Sequence, residues 1–462
     1  MRRPGDLFGR QSDRLRGFHD MTSGYALYAR GWGKAHDGEG QDISKLINVV
    51  FRPLHFAVYW LSGGFRRDES LWVFGSWSGK LAGDNAGALF EYVSGLPNGP
   101  RCVWISADQD IVRELHTRGF AAELRASLAG WRTCARAGVY IYDGLTRDVN
   151  HWVSRGAKKL LLRHGVGFKR IERAINNPNH KLFKLFHGKW WERSIWALLI
   201  PWHLSKPDWC LATSPEHAAQ AVQFFGIDRS QVWVTGFPRH DKMLQGGPPT
   251  GAAANAALAM ERSVHPTYLY MPTFRDHSRF GNVMWESLEH QAERAGVDIF
   301  VKLHFVDFQR GALPSLEARQ AWPRISWVHP DSEPTDLYGS ATGLITDYSS
   351  VAFDMMLLDK PIIYFIPDLS SFVEDRSLLY PIDEVTPGPK CHSFEELGDA
   401  LIATSESGIG SWSTQYENVR QRFHTFTDGR SSGRVYQALI EQMSTGFAFS
   451  SQEHTFRKRV AR

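Results

Sequence analysis

Gly343-Leu344-Ile345-Thr346-Asp347-Tyr348-Ser349-Ser350-Val351-Ala352-Phe353-Asp354, followed by Asp359-Lys360-Pro361-Ile362-Ile363-Tyr364-Phe365, decides how this chain folds. An apolar run, a polar turn with two serines, a helical stretch and a second apolar run describe a strand–helix–strand unit. Both strands read as buried on both faces, as in a parallel sheet. Ser349 or Ser350 takes the N-cap position. A helix start presents backbone N–H groups and the positive end of the dipole, which suits a phosphate. Asp354, one turn after Ser350, shares its face and can accept a hydroxyl hydrogen bond. An ordinary capping serine beside a solvated aspartate has the same local pattern.

The same unit repeats along the chain. Apolar runs fall at Leu71–Phe74, Cys102–Ile105, Val139–Tyr142, Lys159–Leu162 and Trp209–Ala212, then at Val232–Thr235, Tyr268–Met271, Ile299–Leu303, Gly343–Thr346 and Ile362–Phe365. Two such series predict an α/β fold of two doubly wound parallel-sheet domains facing a cleft, with the break between about 214 and 230. The chain of 462 residues divides into an N-terminal arm and amphipathic helix (1–66), a first domain (67–215), a second domain (216–445) and a basic tail (446–462).

Ligands of such sheets bind beyond the carboxyl ends of the strands, and the chemically loaded residues follow the strands directly. His164 and Gly165, with Lys169 beyond them, follow Lys159–Leu162, and Gly236 follows Val232–Thr235. Thr273 and Arg275 follow Tyr268–Met271. His304 follows Ile299–Leu303 with Lys302 beside it, and Asp347 follows Gly343–Thr346. An imidazole titrates in the range a general base needs, and glycines let backbone approach a ligand. Arg275 and His304 are placed to neutralise a pyrophosphate and its leaving group. Each residue taken singly also has a plain reading as a salt-bridged or loop-bonding side chain.

Composition excludes several classes. Hydrophobic content of 43%, charged content of 22% and a net charge of +4 describe an ordinary globular chain and no nucleic-acid binder. Four separated cysteines form no metal or disulfide framework and fit a reducing, cytoplasmic setting. No Walker loop, H-E-x-x-H or G-x-S-x-G is present, and no acidic cluster has metal-ligand spacing. The start Met1-Arg2-Arg3-Pro4-Gly5 leads into polar sequence and not into a signal peptide. Leu46–Leu61, broken by Arg52, Pro53 and His55, is too short to span a bilayer and suits either a membrane-surface helix or a helix buried against the first domain. Between Arg155 and Lys206, twelve Lys and Arg stand against Glu172 and Glu192, interleaved with Trp190, Trp191, Trp196 and Trp202. Segment 155–206 is therefore expected to lie on an anionic membrane surface, with a basic face on packing helices as the bland alternative.

H-G-x-x-x-K (His164–Lys169), T-G-F-P-R-x-D (Thr235–Asp241), Y-x-P-T-F-R-D (Tyr270–Asp276), K-x-H (Lys302–His304) and T-D-Y-S-S-V-x-F-D (Thr346–Asp354) occur in this order. With Phe74–Lys80 and Asp84-Asn85 upstream, they resemble the CDP-glycerol glycerophosphotransferase family, which builds teichoic-acid-like and capsule polymers. The resemblance covers roughly residues 70–440. It implies a GT-B-like fold with the acceptor in the first domain and a CDP-polyol, CDP-glycerol or CDP-ribitol, in the second. His164 matches the base on the acceptor hydroxyl, with Gly165 and Lys169 in the same loop, and His304 matches a contact to the donor pyrophosphate. Ser349, Ser350 and Asp354 match donor positions, which Arg275, Thr273, Lys302, Gly236 and Asp347 accompany. The family implies a lipid-linked acceptor and a peripheral place on the inner membrane face. No resident cofactor is expected from the sequence, which does not decide metal dependence. Where the family has H-G-T-P, this chain reads His164-Gly165-Val166-Gly167, which alters the acceptor-side loop. A nucleotide-sugar glycosyltransferase and a non-catalytic polyanion-binding protein are the alternatives.

Overall fold

The computed structural model describes residues 51–444, apart from 181, 275–281, 305–306, 309–310 and 376–377. The expectations for the N-terminal arm, the basic tail and Arg275 lie outside the described residues. Two parallel sheets carry the chain from Tyr59 onward.

The first sheet holds seven strands in the order β3-β2-β1-β4-β5-β6-β7. They are β1 (Asp68–Gly75), β2 (Arg101–Ser106), β3 (Ala122–Leu124), β4 (Ala137–Tyr142), β5 (Lys158–Leu161), β6 (Trp209–Ala212) and β7 (Val232–Val234). Every pairing is parallel. The second sheet runs β10-β9-β8-β11-β12-β13, again all parallel. Its strands are β8 (Thr267–Met271), β9 (Asp298–Val301), β10 (Ile325–Trp327), β11 (Gly343–Thr346), β12 (Ile362–Phe365) and β13 (Lys390–Cys391). β4, β8, β11 and β12 are buried along their whole length, which is why they read as unbroken apolar runs.

One strand falls in the other sheet from the one expected. Val232–Thr235 was expected to open the second series, but β7 pairs with β6 and closes the first sheet. The helix Pro215–Phe225, with a serine cap and Gly226 in the left-handed region at its end, makes the crossover between those neighbours. A right-handed crossover looks the same in sequence whether or not the sheet changes. The final helix (431–444) also returns to the first sheet, where Val435 and Leu439 pack among Trp72, Phe90 and Trp104.

Chain order reverses between β1 and β4 in the first sheet and between β8 and β11 in the second. Such switch points open a crevice at the carboxyl ends of the strands. The loops after β1, β4, β8 and β11 converge on one cavity of about 670 Å³.

No helix among the described residues is long and apolar enough to cross a membrane. Two short helices fall within the segments expected to lie on a membrane surface. Arg52–Leu61 carries exposed Leu54, Trp60 and Leu61, and Trp190–Leu199 carries Trp190 (80% exposed), Trp191, Ile195 and Leu198.

Candidate active site

The first-sheet wall of the cavity is built by loops in costly backbone conformations. Trp77 (φ 46°), Ser78 (59°), Asp84 (58°) and Arg163 (70°) all occupy the left-handed region. Asp148 braces two of these loops, accepting from Ser78 N–H at 2.7 Å and from the Gly144 and Leu145 N–H groups at 2.9 and 3.0 Å. Asn85, fully buried, donates to the Arg163 carbonyl at 2.8 Å and accepts from Arg239 N–H at 3.2 Å.

His164 therefore stands where three loops hold it. Its Nδ1 lies 2.7 Å from Asp84 Oδ2, and its ring packs on Trp77 with centroids 4.8 Å apart. The side chain keeps 39% of its surface exposed to the cavity. A Cβ added at Gly144 would come within 2.8 Å of His164 Nε2, so glycine there leaves the ring its place. Gly165 (φ 151°) packs against Ser350 of the opposite wall, and an added Cβ would meet Ser350 at 3.0 Å. Burial disfavours charge on Asp84, but Arg239 and His164 outweigh it and hold the carboxyl well below the usual carboxylate range.

The substituted segment after Gly165 is an anchor. Val166 and Phe168 are buried in the core of the second sheet's helices, Phe168 against Phe353 at 4.8 Å between centroids. Lys169 follows on the cavity wall, bridged to Leu378 and with its ammonium 5.2 Å from the Phe372 ring centre.

The second-sheet wall carries Thr273, Lys302, His304, Ser349, Ser350 and Asp354. Burial pulls the Lys302 ammonium down to about 8, and its Nζ donates to the Pro330 carbonyl at 2.9 Å. Burial, with Lys302 and Lys169 nearby, lowers His304 to about 4. His304 is thus neutral at pH 7 and offers an N–H where the sequence reading allowed for a cation. The Trp77 indole lies between the two histidines, 6.1 Å from His304.

Three expectations change in detail. Ser350 has helical φ and ψ and makes no side-chain cap. The amides it would cap are taken by backbone, Ala352 N–H by the Ser349 carbonyl and Phe353 N–H by that of Ser350. Asp354 is buried, its oxygens held by Arg239 Nη2 at 2.6 Å and His240 Nε2 at 2.7 Å, so it fastens the two walls and is not solvated. Asp347 and Gly236 lie behind the cavity. Asp347 accepts from Thr273 N–H (2.9 Å), Thr273 Oγ1 (2.5 Å) and Tyr348 N–H (2.6 Å), which locks the β8 and β11 loops together. Gly236 (φ 79°) abuts Ser431 of the final helix, where a Cβ would come within 2.4 Å.

Residues absent from the sequence-based site complete the structural one: Asp84, Trp77, Arg239 and Glu333. Arg239 spans the cleft from Asp84 to Asp354. Glu333 accepts from Asp84 N–H at 3.0 Å, and burial together with the charge of Asp84 raises its carboxyl to about 7. Asp84, Asp143 and His164 form the one group among the described residues with ligand atoms close enough, within 4.8 Å, for a cation. The guanidinium on the other oxygen of Asp84 opposes a second positive charge there.

A carboxylate-held imidazole on one wall thus faces a buried lysine, a neutral imidazole and the Ser349–Ser350 turn on the other. The chain belongs to the CDP-glycerol:poly(glycerophosphate) glycerophosphotransferase family, whose model matches residues 58–441. A teichoic acid glycerol-phosphate transferase of Staphylococcus aureus is 23% identical over 397 residues, covering 81% of this chain and 94% of that protein. The teichoic acid poly(glycerol phosphate) polymerase of Bacillus subtilis is 22% identical over 86% of this chain, which spans about half of it (52%). The solved wall teichoic acid polymerase TagF shares the fold with a TM-score of 0.65 at 18% identity, covering 88% of this chain and 97% of that one.

Proposed function

We propose that the enzyme moves a polyol phosphate from a CDP-polyol to a hydroxyl group of a teichoic-acid-like polymer. The observation that carries this reading is the placement of His164. Asp84 takes its Nδ1, and Nε2 remains for a substrate proton, in a cavity whose opposite wall gathers Lys302, His304 and the Ser349–Ser350 turn. The acceptor oxygen attacks the β-phosphorus and its proton passes to His164. The bond from that phosphorus to the bridging oxygen breaks, and CMP leaves. Lys302 and the His304 N–H meet the charge that develops on the pyrophosphate. Arg275 joins them by the family resemblance.

The acceptor is lipid-linked, and the enzyme works on the inner face of the membrane as a peripheral protein. The support is the helix Trp190–Leu199, which exposes Trp190, Trp191 and Leu198 within the basic segment 155–206. Incubation with CDP-glycerol, CDP-ribitol and UDP-sugars, in turn, on a lipid-linked acceptor tests the reading. Consumption of one CDP-polyol is expected, and consumption of a UDP-sugar alone would overturn it. Vesicles rich in anionic lipid should sediment the protein, and neutral vesicles should leave most of it in solution.

A further inference from the structure

The carboxylate of Asp84 is committed at every lone pair the loops can reach. Oδ2 faces His164 Nδ1 at 2.7 Å and accepts from Trp77 Nε1 at 3.3 Å. Oδ1 accepts from Arg239 Nη1 at 2.6 Å and from Asn85 N–H at 2.8 Å. Such a group can neither rotate nor drift from the imidazole. Arg239 is as tightly held, donating to the His164 carbonyl at 2.6 Å and to Asp354 at 2.6 Å on the opposite wall. Asp84 also adopts φ 58° at the start of the helix Asp84–Ser94, a conformation that aspartate and asparagine tolerate better than most residues. Strain of this kind persists where surrounding contacts over-determine it.

We propose that Asp84 is a positioning residue of the reaction, holding His164 in the tautomer protonated at Nδ1, and that Arg239, clasped by Asp354, pins Asp84 for that task. The proposal rests on the reading of His164 as the base. In that tautomer Nε2 presents a lone pair to the acceptor hydroxyl. In the other tautomer Nε2 carries the proton and cannot take one. The clasp also makes the base depend on both walls, because Asp354 belongs to the helix after β11 while Asp84 and His164 follow strands of the first sheet. Asp143 is the natural contrast. Its Oδ1 accepts from Ala86 N–H at 3.0 Å and it makes no contact with His164 of the kind Asp84 makes.

The experiment uses the full chain labelled with ¹⁵N-histidine, the His164 resonances being assigned by their loss in His164→Gln. At pH 8 the wild type is expected to show the Nδ1-protonated tautomer, and Asp84→Asn the Nε2-protonated one. The same Asp84→Asn enzyme should lose ~10²–10⁴-fold in kcat with the donor KM within about threefold. Arg239→Lys should retain at least about tenfold more kcat than Arg239→Met, because the charge remains between the two carboxylates. A wild-type ring protonated at Nε2 would overturn the proposal whether or not the variants fold, as would wild-type kcat in Asp84→Asn. If chelation by EDTA brought the wild type down to the level of Asp84→Asn, Asp84 would be a metal ligand and the positioning role would fall. Full activity in His164→Ala would remove the base itself, a failure distinct from these.

Discussion

The two walls of the cavity solve opposite electrostatic problems. The first-sheet wall concentrates carboxyl groups around an imidazole, and Arg239 balances the ionised Asp84. Asp143 lies buried beside Asp84, and burial together with that neighbouring charge pushes its own carboxyl well up. The second-sheet wall collects a lysine, a neutral imidazole and a strand-to-helix turn. Divergent proton affinities in neighbouring groups mark acid–base assignments. On the proposed reading they separate a wall that moves a proton from a wall that receives phosphate charge.

That division is open to attack by substitution on each side. His164→Ala should lower kcat by at least ~10³-fold while calorimetry finds donor affinity within about threefold. Lys302→Met should do the reverse, raising the donor KM by ~10–100-fold, since a charge-assisted contact to phosphate is lost. If both changes acted on kcat alone, the walls would not be distinct. A smaller effect follows from pH. Lys302 loses its proton as pH rises through about 8, and Glu333 gains negative charge as pH rises through about 7. Both changes disfavour an anionic ligand in the same direction, so the donor KM should rise by roughly three- to tenfold between pH 7 and 9. Lys302→Met should flatten most of that rise. Asp347→Ala should cost about 1–3 kcal/mol in thermal or urea unfolding, because the Thr273 N–H is left without its acceptor. The smallest effect belongs to Asp143→Asn, which keeps an oxygen to accept from the Ala86 N–H, with kcat within about threefold of wild type.

Much of this was legible in the sequence, for reasons that differ between residues. The strands β4, β8, β11 and β12 are buried on both faces, so their runs were continuous and their ends well marked. The rule that ligands meet strand ends then located His164, Lys302, His304 and the Ser349–Ser350 turn around one cavity. Asp84 and Arg239 stood within quoted motifs, but the contacts by which they hold the site were not legible. Asp84 and Arg239 are 155 positions apart, and Arg239 and Asp354 are 115 apart, so no periodicity connects them. Asp347 and Gly236 have the same local appearance as ligand contacts, but one braces two loops and the other admits the final helix. The place of β7 depended on which edge a crossover helix returns to, and its own three residues carry no sign of that. Replacement of the family's Thr and Pro by Val166 and Gly167 looked like a change at the acceptor, and the structure puts Val166 in the core of the other domain.

The identity of the released nucleotide tests the central claim most directly. Attack at the β-phosphorus by an acceptor oxygen that gives its proton to His164 must release CMP, whereas attack at the polyol carbon must release CDP. Chromatography of the products from wild type and His164→Ala, each with the CDP-polyol that the wild type consumes, should show CMP from the first and none above background from the second. CDP as the nucleotide product, or undiminished CMP from His164→Ala, would contradict the account.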